Sequence, residues 1–135
     1  MLGVIKLNEQ QYIVEAEKKV LDIKGLTESI PKREINTVGV IGAGTMGGGI
    51  AMNFVNVGIP VHIVETSQDH LDKGLVNISN NYQRSVDRGK ISKEQVADRL
   101  KLITSSTQLT DLGHCDIIIE AVYEDLDLKK KIFKE

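Results

Sequence analysis

The stretch that most constrains this chain is VGVIGAGTMG, residues 38–47. Its front, Thr37 to Ile41, is a short apolar run suited to a strand buried on both faces. The strand runs into Gly42, Gly44 and Gly47, in G-x-G-x-x-G spacing. Gly42 permits the tight turn, Gly44 has no Cβ to keep a pyrophosphate off the backbone, and Gly47 lets the next helix pack closely on the sheet. The start of that helix offers unpaired N–H groups, with those of Thr45 and Met46 as donors, and a partial positive charge.

Alone, such glycine spacing is weak evidence, because it also describes ordinary tight turns. The context strengthens it: a strand before, a helix after, and Glu65 closing the next apolar run, Val61 to Glu65. A carboxylate there accepts hydrogen bonds from both hydroxyls of an adenosine ribose and repels a 2′-phosphate. No Arg follows it, so the pattern favours NAD over NADP. A phosphate-binding Walker loop is excluded, since no G-K-[ST] follows the glycines. Flavin-binding folds share the pattern and stay open, as does a plain turn with a surface glutamate.

Apolar spacing supplies the remaining elements. Asn8 to Lys24 reads as a helix capped by Asn8 with Gln11, with Tyr12, Ala16, Val20 and Ile23 on one face and Gly25 as its stop. The polar stretch from Thr27 to Glu34 carries Pro31 and reads as a linker, so the expected division is residues 1–34 and 35–135. After the glycines, Met46, Ile50, Phe54 and Val57 mark a helix face. Ser67 caps a long helix with core face Leu71, Leu75, Ile78, Tyr82 and Val86, ended by Gly89. Ser92 with Gln95 opens a shorter helix. Leu102 to Thr104 and Asp116 to Val122 read as strands three and four, and a helix begins at Asp127. Strands alternating with helices imply an α/β fold: a doubly wound parallel sheet of Rossmann type, incomplete at about four of six strands.

A net charge of −2 supplies no basic field for nucleic acid or an anionic membrane. The N-terminus lacks the pattern of a signal peptide, and no apolar run is long enough for a membrane span, so the expected location is the cytoplasm, or the peroxisome in a eukaryote. The single Cys115 reads as a small buried hydrophobe. His62, His70 and His114 show no carboxylate partner at recognisable spacing and no metal pattern with Cys115.

From Val38 to Lys134 the chain resembles the NAD-binding domain of L-3-hydroxyacyl-CoA dehydrogenases, which oxidise the 3-hydroxyl of an acyl-CoA in fatty-acid β-oxidation. The matching features are GAGTMGGGIA (Gly42 to Ala51), Glu65, RGKIS (Arg88 to Ser92) at the tip of a helical hairpin, and IIEAVYEDLDLKKKIF (Ile118 to Phe133). The resemblance implies that Ala121 and Val122 line the nicotinamide-ribose side and that Glu124 and Lys129 contact the nicotinamide end. It implies that Arg84, Arg88 and Lys90 on the hairpin lean toward CoA phosphates, against the plain reading of a solvated charged face. It also implies that the family's catalytic histidine, in an H-x-x-x-P segment, and its closing helical domain lie outside this chain. No catalytic residue is then assigned here, and the isolated chain is expected to be inactive.

The N-terminal helix and linker resemble the connector of multifunctional β-oxidation enzymes, which implies an upstream enoyl-CoA hydratase domain. The partners expected are an acyl-CoA substrate and further copies of the chain. The alternatives are a related dehydrogenase acting on 3-hydroxybutyryl-CoA or a sugar acid, and a nucleotide-sensing module without chemistry.

Overall fold

The structure, a computed structural model, describes residues 8–25 and 29–134, and divides into two compact units, Met1–Arg33 and Glu34–Glu135. The N-terminal expectations before Asn8, and the linker positions Thr27 and Glu28, lie outside the described residues.

In the first unit, α1 spans Glu9–Leu21. Asn8 Oδ1 accepts from the Gln11 N–H at 2.8 Å, and Gln11 Oε1 accepts from the Asn8 N–H at 3.1 Å. These two bonds make the capping box expected from the sequence. The helix ends three residues short of the expected Lys24, because Asp22 leaves the helical region (ψ 76°). A carboxylate is unfavourable at the negative end of the helix dipole. Gly25, at φ +88°, occupies the turn beyond. Tyr12 and Val20, on the expected apolar face, are exposed.

The second unit is a four-stranded parallel sheet in the order β3-β2-β1-β4, with β1 at Val38–Ile41, β2 at Val61–Val64, β3 at Ile103–Ser106 and β4 at Ile117–Glu120. The Rossmann-type α/β arrangement expected from the sequence is the one observed. All four strands differ from their expected bounds, β1 starting one residue late at Val38 and β4 ending two residues early at Glu120. Glu65 leaves β2, although its N–H still bonds Ser106 O. β3 runs two residues past Thr104 into Ser105 and Ser106, polar residues that only pairing with β2 recruits. Asp116 precedes β4, and its Oδ2 instead accepts the N–H groups of Asn36 (2.8 Å) and Thr37 (3.0 Å). That clamp ties the entry of β1 to the entry of β4.

Alternation along the strands makes two unlike faces. Val38, Val40, Val61 and Ile63 point into the main core, covered by α2 (Thr45–Asn56), α3 (Gln68–Asp87) and α4 (Lys93–Lys101). From α3, Leu71, Ile78 and Tyr82 are buried as expected, while Leu75 is only partly so. Tyr82 also donates to Asn56 Oδ1 at 2.9 Å. α2 is rotated from the expected face: Ile50 and Phe54 pack partly buried against the core as expected, but Met46 and Val57 do not. Gly47, Gly48, Ala51 and Val55 are buried, whereas Met46 and Val57 are 65% and 72% exposed. Gly47 and Gly48 on the inner side let the first turns of the helix sit close to the sheet and to Ile78.

The opposite face is covered by a 3₁₀ segment, Leu109–His114, and by α5, Leu126–Ile132. The sequence reading left the 3₁₀ segment unassigned. α5 starts one residue before the expected Asp127, because Asp125 caps it by accepting from the Leu128 N–H at 2.8 Å.

Candidate nucleotide site

The C-terminal ends of β1, β2 and β4 open onto one groove of about 540 Å³. Seven of the ten cofactor residues expected from sequence line it: Gly42, Gly44, Thr45, Met46, Glu65, Ala121 and Val122. Gly42 has φ +106°, and a Cβ there would stand 2.7 Å from Ala121 O. The glycine therefore serves both the turn and the close approach of β4. Gly47 lies beneath the groove, where a Cβ would overlap the carbonyl oxygen of Gly42. Its absence of side chain seats α2 under the loop.

Gly44 is different. Its φ of −68° suits any residue, and apart from its chain neighbours and its own helix nothing lies within 4 Å of where its Cβ would be. Nothing in the fold requires glycine here, so the open space suits a ligand that approaches the backbone. As N-cap of α2, Gly44 has no side-chain capping bond, and its carbonyl accepts from the Gly48 N–H at 2.8 Å. The free N–H groups of the first turn thus face the same space.

Glu65 stands at the end of β2 with Oε2 accepting from the Ala43 N–H at 3.2 Å. This bond draws the carboxylate to the glycine loop. Gly74 of α3 clamps that loop from behind, since a Cβ there would overlap Ala43 O. The sequence reading gave Gly74 no role, because a glycine inside an amphipathic helix has no local signature.

The other expected residues fall elsewhere. Glu124 and Lys129 do not line the groove. Lys129 Nζ donates to Glu124 Oε2 at 2.7 Å and pairs with Glu120 Oε2 at 3.2 Å. Its ammonium is held above its ordinary pKa, first by the bond to Glu124 and then by that to Glu120. Glu120, which the sequence reading did not single out, also accepts the Val122 N–H through Oε1 at 2.7 Å. Arg84 lines a separate recess of about 270 Å³ with Asn77, Asn81 and Thr45. Arg88, the C-cap of α3, and Lys90 are exposed outside that recess.

The groove also takes in Thr66, His70, Leu109, Tyr123, Leu128 and Ile132, none of them expected. Leu109 and Ile132 reach it through tertiary placement of the 3₁₀ segment and α5, which no local pattern announces. His62 points away from the groove wall: Nδ1 lies 2.7 Å from Thr104 Oγ1 and Nε2 3.1 Å from Ser106 Oγ. Burial, then the neighbouring His114, hold its imidazole below the ordinary histidine pKa, against Asp111. Among the described residues no group of His, Cys, Asp and Glu could hold a metal ion, and no helix is long and apolar enough to cross a membrane.

Comparison with known proteins accords with this geometry. The profile of the 3-hydroxyacyl-CoA dehydrogenase, NAD binding domain, matches residues 37–135. The chain is similar to the peroxisomal fatty acid beta-oxidation multifunctional protein of Arabidopsis thaliana, 32% identical over 125 residues, covering 92% of this chain and 17% of that protein. It is similar to the 3-hydroxybutyryl-CoA dehydrogenase of Bradyrhizobium diazoefficiens, 39% identical over 101 residues, covering 75% of this chain and 34% of that one. The crystal structure of (S)-3-hydroxybutyryl-CoA dehydrogenase from Ralstonia eutropha superposes with a TM-score of 0.72 at 40% identity, over 75% of this chain and 36% of that one. The chain thus spans about a sixth of the multifunctional relatives it matches and about a third of the shorter ones.

Proposed function

The chain belongs to the family of 3-hydroxyacyl-CoA dehydrogenase NAD-binding domains, and from that premise we propose that it holds NAD in an enzyme that oxidises a 3-hydroxyacyl-CoA to a 3-ketoacyl-CoA. The observation that carries the reading is Gly44: a glycine that neither its backbone angles nor any neighbour demands, at the start of a helix and beside Glu65. A pyrophosphate needs that open backbone, and an adenosine ribose needs that carboxylate. NAD supplies the hydride acceptor when bound. This chain's residues bind and orient it: the first turn of α2 takes the phosphates, Glu65 the adenosine ribose, and Ala121 and Val122 the nicotinamide side. Glu124 and Lys129 sit close behind that end of β4.

No described histidine hydrogen-bonds a carboxylate, and we assign no general base within this chain; the base belongs to another part of the parent enzyme. The match of 125 residues within 135 takes in nearly all of α1, upstream of the family domain. This supports a multifunctional β-oxidation parent, cytoplasmic or peroxisomal, with an enoyl-CoA hydratase domain upstream. The second reading is a 3-hydroxybutyryl-CoA dehydrogenase, favoured by the structural match at 40% identity. In either case Arg84, Arg88 and Lys90 are the candidates for CoA phosphates, and self-association through β4 and α5 is a further proposal.

Titration of NAD and NADP against the purified chain tests the cofactor assignment. NAD should bind and NADP should not, and Glu65→Ala should weaken NAD by about 10- to 100-fold, the worth of hydrogen bonds to a charged acceptor. NADH turnover with acetoacetyl-CoA should stay at background. Equal affinity for NAD and NADP would overturn the Glu65 assignment, and protein-dependent turnover would show that a catalytic base lies within these residues.

A further inference from the structure

At the end of β4, one ammonium is shared by two carboxylates. Lys129 Nζ lies 2.7 Å from Glu124 Oε2 and 3.2 Å from Glu120 Oε2. A structural ion pair is complete with one carboxylate. A second one on the same ammonium brings like charges together, which costs stability unless another cation faces them. The trio keeps one net negative charge. Neighbouring charges do not cancel it: the cations Lys130 and Lys131 are exposed and screened by solvent, and Asp125 and Asp127 are themselves negative.

Glu120 gives the cluster its position. Its side chain is only 13% exposed, and both oxygens are committed, Oε2 to Lys129 and Oε1 to the Val122 N–H at 2.7 Å. Val122 lines the nucleotide groove, so one carboxylate ties the groove wall to the charged trio. Glu124, by contrast, is 87% exposed and its charge is largely screened.

We propose that the Glu120–Lys129–Glu124 cluster sets the oxidation-state preference of the cofactor site, its net negative charge favouring the cationic ring of NAD⁺ over the neutral ring of NADH, with Glu120 as the positioning residue. The inference rests on the reading above, in which the nicotinamide end meets the C-terminal end of β4. The two redox forms differ there by one positive charge and are otherwise nearly identical. For a separation on the order of 10 Å and an effective dielectric of about 20 to 40, removing one charge changes their relative affinity by about 4- to 17-fold.

The test is calorimetric titration of the 135-residue chain with NAD⁺, NADH and ADP-ribose, which lacks the nicotinamide. Glu120→Gln keeps an acceptor for the Val122 N–H and removes the charge. It should raise the ratio Kd(NAD⁺)/Kd(NADH) by about 5-fold and leave ADP-ribose unchanged. Glu124→Gln should move the ratio the same way by less, and its effect should shrink with added salt. Lys129→Met should lower the ratio. That opposite sign separates an electrostatic role from a structural one, since general damage to the site would weaken all three ligands together. If Glu120→Gln unfolds, the signs for Glu124→Gln and Lys129→Met still decide the matter. Ratios unchanged in all folded variants, with ADP-ribose and NADH still bound, would overturn this inference and leave the cofactor reading intact. Failure of the unmutated chain to bind any of the three ligands would overturn the reading and this inference with it.

Discussion

The two faces of the sheet are built from the same four strands and differ in how much apolar packing they carry. On the face under α2, α3 and α4, the strand positions are Val or Ile except Ser105 at the β3 edge, and the central Val38, Val40, Val61 and Ile63 are at most 1% exposed. On the other face the alternate positions are Gly39, Ile41, His62, Val64, Thr104, Ser106, Ile118 and Glu120. There His62 hydrogen-bonds across to Thr104 and Ser106, Ile118 is 49% exposed, and no residue of α5 is buried. The first face holds the glycine loop in place by close packing. The second has a smaller apolar cluster of Ile41, Val64 and Leu112, supplements it with hydrogen bonds, caps and ion pairs, and carries the residues proposed for the nicotinamide end. Close packing fixes geometry to fractions of an ångström, whereas polar links at a wetter face can be retuned by one charge.

The largest test of this contrast is truncation on each face. Ile78→Ala, in the packed core, should cost about 2–5 kcal/mol of stability, the range for emptying a buried aliphatic site. Ile118→Ala should cost less than about 1 kcal/mol, because half of that side chain is already in water. Urea unfolding of both variants checks the difference, and equal costs would mean that the second face is as tightly packed as the first.

Next in size is a pair of glycines in one loop. Gly47→Ala forces a Cβ into the carbonyl of Gly42 and should cost about 3 kcal/mol or more. Gly44→Ala meets no neighbour and should cost no more than about 1 kcal/mol, chiefly as a poorer N-cap, while weakening NAD strongly. Unfolding and titration on the same two proteins read both effects. Loss of stability without loss of binding in Gly44→Ala would remove the main support for the site.

The smallest effect expected is with pH and belongs to the polar face. His62 is held below its ordinary pKa, so between pH 6.5 and that lowered value the unfolded chain takes up a proton that the folded chain refuses. Its contribution to stability is complete above pH 6.5 and is lost as the pH falls through the window. Tm should therefore drop on acidification, and His62→Gln should flatten that part of the profile. An identical profile in the variant would assign the acid sensitivity to other groups.

The sequence by itself determined the elements whose signals are local. G-x-G-x-x-G after an apolar run, the capping pairs Asn8–Gln11 and Ser92–Gln95, and the Leu71–Ile78–Tyr82 stripe each record constraints acting within about a turn of backbone. Such constraints are met by the residues beside them, so spacing reveals them, and Glu65 was legible because it closes the next strand. Only the tertiary structure decided that α2 turns Gly47, Gly48 and Ala51 inward beside the expected Ile50 and Phe54, leaving Met46 and Val57 out, since that depends on how close glycine lets a helix approach a sheet. It also decided that β3 continues through Ser106, a pairing with β2 rather than a property of two serines. And it brought Gly74 against Ala43, Leu109 to the groove, and Glu120 to Lys129 nine residues on. Each of these joins residues that separate elements carry to one place, and the physical reason they were hidden is that chain crossovers, not local periodicity, set those distances.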